Sequence, residues 1–330
     1  MGYIGGMRIV VIALCLAVSA PAFAFDLQGH RGARGLAPEN TLAGFETALR
    51  IGVTTLELDL AMTKDNVLVV SHDRRLNPDH TRGPDGQFLA REGAPIRSLA
   101  LAEVQQYDVG RLKPGTEYAK GFPEQQPVDG ARIPALAELF ALVKRVGAGH
   151  VRFNIETKIT PTSGAETPDP DTFAAALAAA LGDAGLTRRT SIQSFDWRTL
   201  MAMKRIAPEV ERVCLTAEAL TFDTIKRGEP GPSPWLAGLD IDDFGGSVPR
   251  LVHAAGCAIW SPLYRNAKAD DVAAAKALGL KIIPWTVNER ADMERLIALG
   301  VDGIITDYPD RLRAVMAARE MPLPPRVDTR

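Results

Sequence analysis

Eight short apolar runs, each closing on polar residues and each followed by a helical pattern, fill most of this 330-residue chain. The runs are FDLQGHRG, TTLELDLAMT, VRFNIETK, TSIQSFD, ERVCLTA, CAIWSPLY, LKIIPWTVN and DGIITDYP. Helical stretches such as NTLAGFETALRIG, DTFAAALAAALGDAG and ADMERLIALG separate them, several stopped by the glycine that a left-handed C-terminal cap favours. Strands that alternate with helices pair in parallel, because a crossover helix returns the chain to the same end of the sheet. Eight such units close most economically as a (β/α)8 TIM barrel of the α/β class.

Two segments fall outside that rhythm. Residues 73–130 carry 13 glycines and prolines in 58 positions, with one modest helical pattern, LALAEVQQYDVG. They read as an insertion in the barrel, following a β-hairpin after the second strand, and not as a second domain in series. The first 24 residues, MGYIGGMRIVVIALCLAVSAPAFA, hold a single charge (Arg8), an apolar run and an A-x-A ending. That is the pattern of a cleavable secretory signal. The run from Ile9 to Val18 is far short of the roughly 20 residues a spanning helix needs. The expectation is a barrel over residues 25–318, a C-terminal tail over 319–330, no stable membrane insertion after cleavage, and a periplasmic or secreted location.

With 38 basic against 40 acidic residues the chain lacks the electropositive footprint of a nucleic-acid binder. A small anionic substrate needs only a few local charges and stays open. Oligomeric state is not written in any pattern here. Beyond the leader, Cys214 and Cys257 sit in the apolar runs RVCL and GCAIW. Export permits a bridge between them, but two buried thiols on neighbouring strands is the expectation.

In a TIM barrel the C-terminal ends of the strands face the active site. His30 and Arg31 close the first strand, and Glu57 and Asp59 lie two apart on the second, on one side of it. Glu156 and Lys158 repeat that spacing on the third. Three carboxylates aimed at one space repel unless neutralised, and oxygen ligands without nearby cysteine suit a hard divalent cation. Lys64-Asp65-Asn66 reads as the turn of a hairpin, in which Asp59 would face Ser71 and bring His72 back beside the carboxylates. Two histidines, two cations and a metal cluster suit attack at phosphorus, with one histidine accepting a proton and the other giving one.

HRGARGLAPENT, ELDLAMTKDNVLVVSHD, IETK, QSFD, PWTVN and DGIITDYPD, in that order from Gln28 to Asp310, resemble the glycerophosphodiester phosphodiesterases. The resemblance implies hydrolysis of a small glycerophosphodiester to glycerol 3-phosphate and an alcohol, through a cyclic phosphate formed by the glycerol 2-hydroxyl. It implies His30 and His72 as the acid/base pair, and Arg31 and Lys158 as phosphate ligands. Glu57, Asp59 and Glu156 would hold the metal, Ca2+ or Mg2+. The stretch PSPWLAGLDIDDFGGS is longer than the family's usual link before the sixth strand.

Other residues carry plainer expectations. His80, His150 and His253 are read as structural, Glu39 as an acid at the start of the first helix, and Arg34 as a solvated loop residue. Gln193, Phe195 and Trp285 end later strands and are expected to line the pocket, Gln193 and Trp285 against substrate. Asp307, from the last strand, is expected to position other groups. The enzymatic rival is a lysophospholipase D-like activity on lysophospholipids, which a deep apolar mouth would favour. A catalytically silent phosphodiester-binding barrel would be expected to have lost a histidine or a carboxylate, and this chain keeps them all.

Overall fold

The computed structural model describes Met1, Gly2 and residues 25–329. The rest of the expected leader lies outside the described residues. The strands are β1 (Asp26–Gly29), β2 (Thr55–Met62), β3 (Leu68–Val70), β4 (Arg152–Thr157), β5 (Thr190–Ser194), β6 (Glu211–Thr216), β7 (Glu218–Ala219), β8 (Phe222–Asp223), β9 (Ile259–Pro262), β10 (Lys281–Ile282) and β11 (Gly303–Thr306). Eight of them run parallel in the order β10-β9-β6-β5-β4-β2-β1-β11. Pro284, which has no N–H to donate, follows the short β10. The barrel nevertheless nearly closes across that seam: Asp302 N donates to Ile282 O (2.8 Å), Ile305 N to Pro284 O (3.0 Å) and Val287 N to Ile305 O (3.0 Å).

All eight expected helices form the outer ring. The first, Leu42–Ile51, is capped by the Thr41 hydroxyl, which accepts from Gly44 N. The third, Pro170–Ala184, starts on an Asp169 cap and ends at Gly185 in the left-handed conformation. Between strands and helices lies the main core, with Phe45, Phe153, Phe173, Trp197 and Trp260 among its buried side chains.

Inside the barrel the two halves differ in chemistry. Val213, Ile259, Ile283 and Ile305 make an apolar cluster from β6, β9, the stretch after β10, and β11. The other half is polar. Asn154 Nδ2 donates to Gln28 and to Gln193, both at 2.9 Å, Ser191 Oγ donates to Asn154 Oδ1, and Gln28 Nε2 donates to Asp26. Each of these inward residues alternates with an outward apolar one: Phe153 and Ile155 flank Asn154, and Ile192 separates Ser191 from Gln193.

β3 returns antiparallel along β2 in the expected register, with Leu60 opposite Val70 and Met62 opposite Leu68. Ser71 N donates to Asp59 O at 2.9 Å, which sets His72 at the barrel mouth. The insertion that follows has a small core of its own, in which Leu76, Ile96, Val104, Val109 and Ile133 pack on Ala61 and Val69 of the hairpin. The expected helix shrinks to one turn, Leu101–Val104, because Asp108 is drawn out into paired backbone hydrogen bonds with Arg82. The C-terminal tail is docked and not loose: Val327 N donates to Leu49 O, and Arg313 Nη1 to Pro324 O.

The two cysteines depart from expectation. β6 and β9 pair directly, which brings the Cα atoms of Cys214 and Cys257 to 5.9 Å, and the sulfurs are bonded. The bridge closes a loop with a sequence separation of 43. Reduction should lower unfolding stability by about 2–4 kcal/mol, measured as a drop in the urea midpoint. An unchanged midpoint, with both thiols titrating in unreduced, denatured protein, would refute the bridge.

Candidate active site

Three carboxylates, Glu57 and Asp59 from β2 and Glu156 from β4, meet at the barrel mouth with one oxygen of each within 4.8 Å of the others. Strand alternation puts them there: β2 and β4 are in register with Asp59 opposite Glu156, and all three side chains point inward. Each is held from behind. Glu57 accepts from Gln193 Nε2 (2.7 Å) and from the backbone N–H of Arg31 (2.8 Å). Asp59 Oδ2 accepts from Asn40 Nδ2 (2.9 Å), and Glu156 Oε1 accepts from Lys158 Nζ (2.7 Å).

Asp59 Oδ1 is buried and, among the described residues, has no hydrogen-bond partner, the Lys158 ammonium lying 3.7 Å away. A carboxylate oxygen left so is costly unless a ligand completes it. That orphan oxygen and the all-oxygen donor set fit a hard divalent cation. The electrostatics agree. Burial and the neighbouring Asp59 charge raise the Glu57 carboxyl well above its ordinary value. Glu156 is pushed up to about 7, by burial first, with the Asp59 charge adding to it against Lys158. Burial would raise Asp59 too, but Arg31, Lys158 and the two histidines hold it below its ordinary value.

His30 and His72 flank this cluster, and each is pinned by an aspartate. His30 Nδ1 lies 2.6 Å from Asp307 Oδ1, and its Nε2 faces Glu57 at 3.9 Å. His72 Nδ1 lies 2.9 Å from Asp73 Oδ1. With Nδ1 spent on a carboxylate, Nε2 is the working atom of each ring. Burial lowers both imidazoles to about 4; Arg34 adds to this at His30, and Arg31 and Lys158 at His72. Both rings are therefore neutral at pH 7 in the free protein.

The stretch from His30 to Thr41 wraps around the cluster under backbone constraint. Arg31 and Asn40 both have positive φ, 50° and 54°. Gly32 also has positive φ (88°), and a Cβ there would lie 2.7 Å from the backbone of Gly44 in the first helix. Arg31 Nη1 donates to Glu39 (2.7 Å), and its Nε lies 3.2 Å from Asp59 Oδ2.

Next to the cluster opens a cavity of about 770 Å³. One wall is aromatic: Phe195 packs edge-on to Phe222 and to Trp285, and Phe222 edge-on to Trp235. The rest of the lining includes Asp73, Arg74, Arg75, Glu92 and Glu166.

A model of the glycerophosphoryl diester phosphodiesterase family matches residues 30–311, from the first of these histidines to just beyond the last strand. The chain belongs to that family. A glycerophosphodiester phosphodiesterase of Caldanaerobacter subterraneus subsp. tengcongensis is 32% identical over 86% of this chain and 94% of its own. One of Bacillus subtilis is 29% identical over 87% of this chain and 84% of its own. A crystal structure from Silicibacter pomeroyi named for the same family superposes with a TM-score of 0.80 at 33% identity, covering 92% of this chain and 96% of that one.

For this family member, tertiary structure brings His30, Arg31, Glu57, Asp59, His72, Glu156 and Lys158 to one place, and Trp285 to the cavity wall. Gln193 is a correction. It lies beneath Glu57, 1% exposed, with its amide committed to Glu57 and Asn154, so it supports a carboxylate and does not line the cavity. Arg34 is another. Its side chain is only 12% exposed and clamps Asp307 through Nε (2.8 Å) and Nη2 (3.1 Å). Glu39 is structural as expected, though for a different reason: it neutralises Arg31 and accepts from the Tyr118 hydroxyl.

Asp307 positions His30 and is itself held by Asn288 (2.7 Å). His80 serves Asp73, which also accepts from Asn77. Asp73 and Asn40 were not singled out from sequence as site residues. Their only signal is adjacency: Asp73 follows His72, and Asn40 follows Glu39 in PENT.

Loading a cation must displace the protons that burial keeps on this cluster. Metal affinity should therefore fall as pH drops through about 7, where Glu156 titrates. Calorimetry at pH 6 in buffers of different ionisation heat should show more proton release than at pH 8. Identical proton release at both would contradict the carboxylate assignment.

Proposed function

We propose that this chain hydrolyses glycerophosphodiesters to glycerol 3-phosphate and an alcohol, with His30 and His72 exchanging the protons. The observation that carries the reading is the two aspartate-pinned histidines on either side of one carboxylate cluster, with Arg31 and Lys158 against its Asp59. Glu57, Asp59 and Glu156 would hold Ca2+ or Mg2+, which when bound neutralises the cluster and stabilises charge on the phosphoryl oxygens.

Arg31 and Lys158 bind those oxygens from the protein side. His30 Nε2, deep at the strand ends, takes the proton of the glycerol 2-hydroxyl as its oxygen bonds to phosphorus. His72, at the cavity and 31% exposed, gives a proton to the departing alcohol oxygen as its bond to phosphorus breaks. The bound diester's negative charge opposes Arg31 and Lys158 and so raises the His72 pKa, readying it as the acid. The cyclic phosphate then opens by the reverse roles, His72 taking a proton from water and His30 returning one to the 2-oxygen. A lining that includes Asp73, Arg74, Arg75, Glu92 and Glu166 does not suit an acyl chain, which disfavours a lysophospholipid substrate.

The test is release of glycerol 3-phosphate from glycerophosphocholine. Chelation should abolish it and Ca2+ or Mg2+ restore it, and Glu57→Gln should weaken both metal binding and rate. Full turnover in thoroughly metal-free protein would overturn the metal assignment. His30→Ala and His72→Ala should each lower kcat by about 10²-fold or more with metal still bound. The double variant should lose less than the product of the two. Near-normal kcat across the pH range in either single variant would make that histidine structural.

Export is part of the same proposal. The leader pattern supports it, as does the Cys214–Cys257 bridge, since disulfides persist in oxidising compartments. Protein recovered from a periplasmic extract should begin at Phe25. An intact Met1 on cytoplasmic protein would refute it.

A further inference from the structure

The charged side chains along the cavity nearly all cancel within it. Lys158 is paired with Glu156 (2.7 Å), and Asp73 with His80 (3.3 Å) besides its hydrogen bond with the neutral His72. Arg75 is paired with Glu166 (2.8 Å) and, at 3.7 Å, with Glu92. Arg74 is the exception: among the described residues lining the cavity, it alone carries a charge and has no ion-pair partner. Its guanidinium is fixed by one neutral contact, Nη1 donating to the Thr160 hydroxyl at 3.1 Å.

The position of that contact gives Arg74 a direction. Thr160 lies two residues beyond Lys158, on the segment that leaves the end of β4, and both residues line the same cavity. Arg74 itself follows His72 by two residues and is anchored through its carbonyl, which accepts from Ile96 N at 2.8 Å. An arginine held there, two residues past His72 and in the same cavity as Lys158 and the aromatic residues Phe195, Phe222, Trp235 and Trp285, is placed to meet the part of a substrate that extends from phosphorus toward solvent. A guanidinium with most of its donors unspent is built for a carboxylate, which it binds through two parallel hydrogen bonds.

We propose that Arg74 is a specificity-determining residue for the departing alcohol, and that the cavity favours alcohols bearing a carboxylate. The proposal rests on the hydrolytic reading above and deepens it by naming the substrate class.

Glycerophosphoserine and glycerophosphoethanolamine make a matched pair for the test. Both alcohols carry an ammonium, and they differ only in the carboxylate. The readout is the ratio of their kcat/KM values, measured on the metal-loaded enzyme at low salt. The wild type should prefer the serine ester by about five- to tenfold, the size expected of a partly solvated charged pair. Arg74→Gln should bring the ratio to about 1, and Arg74→Glu should invert it. Arg91→Gln removes an exposed arginine of the same insertion that does not line the cavity, and should leave the ratio at the wild-type value.

Raising the salt concentration should shrink the wild-type preference and leave the Arg74→Gln ratio unmoved. A wild-type ratio at or below 1, or a preference that survives Arg74→Gln, would overturn the proposal. An equal loss in Arg91→Gln would do so as well, by showing a general field and not a local contact. If neither ester is cleaved while glycerophosphocholine is, the proposal fails and the hydrolytic reading stands; if glycerophosphocholine is not cleaved either, the hydrolytic reading itself fails.

Discussion

Three buried carboxylates that cannot all be charged unaided are the constraint around which the rest of this molecule is arranged. Glu57, Asp59 and Glu156 share one end of the barrel within 4.8 Å of one another. In a low-dielectric interior their mutual repulsion is severe, and the protein meets it with several devices at once. Arg31 and Lys158 bring positive charge to Asp59, Asn40 and Gln193 bring donors, and burial keeps Glu57 and Glu156 toward their neutral forms. Among the described residues nothing hydrogen-bonds to Asp59 Oδ1, and a cation fits that gap.

The polar half of the barrel interior follows from this need. A TIM barrel is ordinarily filled by branched apolar side chains, as it is here beneath β6, β9, β10 and β11. Under β1, β4 and β5 the filling is Gln28, Asn154, Ser191 and Gln193, with Asn154 hydrogen-bonded to each of the other three. The chain of amides ends on Glu57. Such a network is worth its desolvation only if every member is satisfied and something at its end needs fixing in place. It fixes a carboxylate.

The histidines show the same economy in a symmetric form. Each has its Nδ1 on an aspartate from the opposite direction: His30 on Asp307 of the final strand's end, His72 on its own neighbour Asp73. Those aspartates are held in turn by Arg34 and Asn288 on one side and by His80 and Asn77 on the other. The insertion supplies His80 and Asn77 and also Tyr118, which reaches Glu39 behind Arg31. A segment that reads as loop in sequence is thus part of the support for the reactive groups.

Much of this was legible in the sequence. Alternation of apolar runs with helical patterns determined the eight units. The two-residue spacing of Glu57 with Asp59, and of Glu156 with Lys158, determined which side of each strand faces inward. The turn at Lys64-Asp65-Asn66 fixed the hairpin register to the residue, as Leu60 opposite Val70 confirms. These are local properties, set by periodicity and turn chemistry within a few residues.

What only the tertiary structure decided involves partners far apart in the chain. Arg34 read as solvated until Asp307, 273 residues away, clamped it. Gln193 read as a pocket residue until β5 placed it under Glu57. Cys214 and Cys257 read as free thiols until β6 and β9 were neighbours. A one-dimensional pattern says which way a side chain points, but the atom that waits there is set by closure of the barrel.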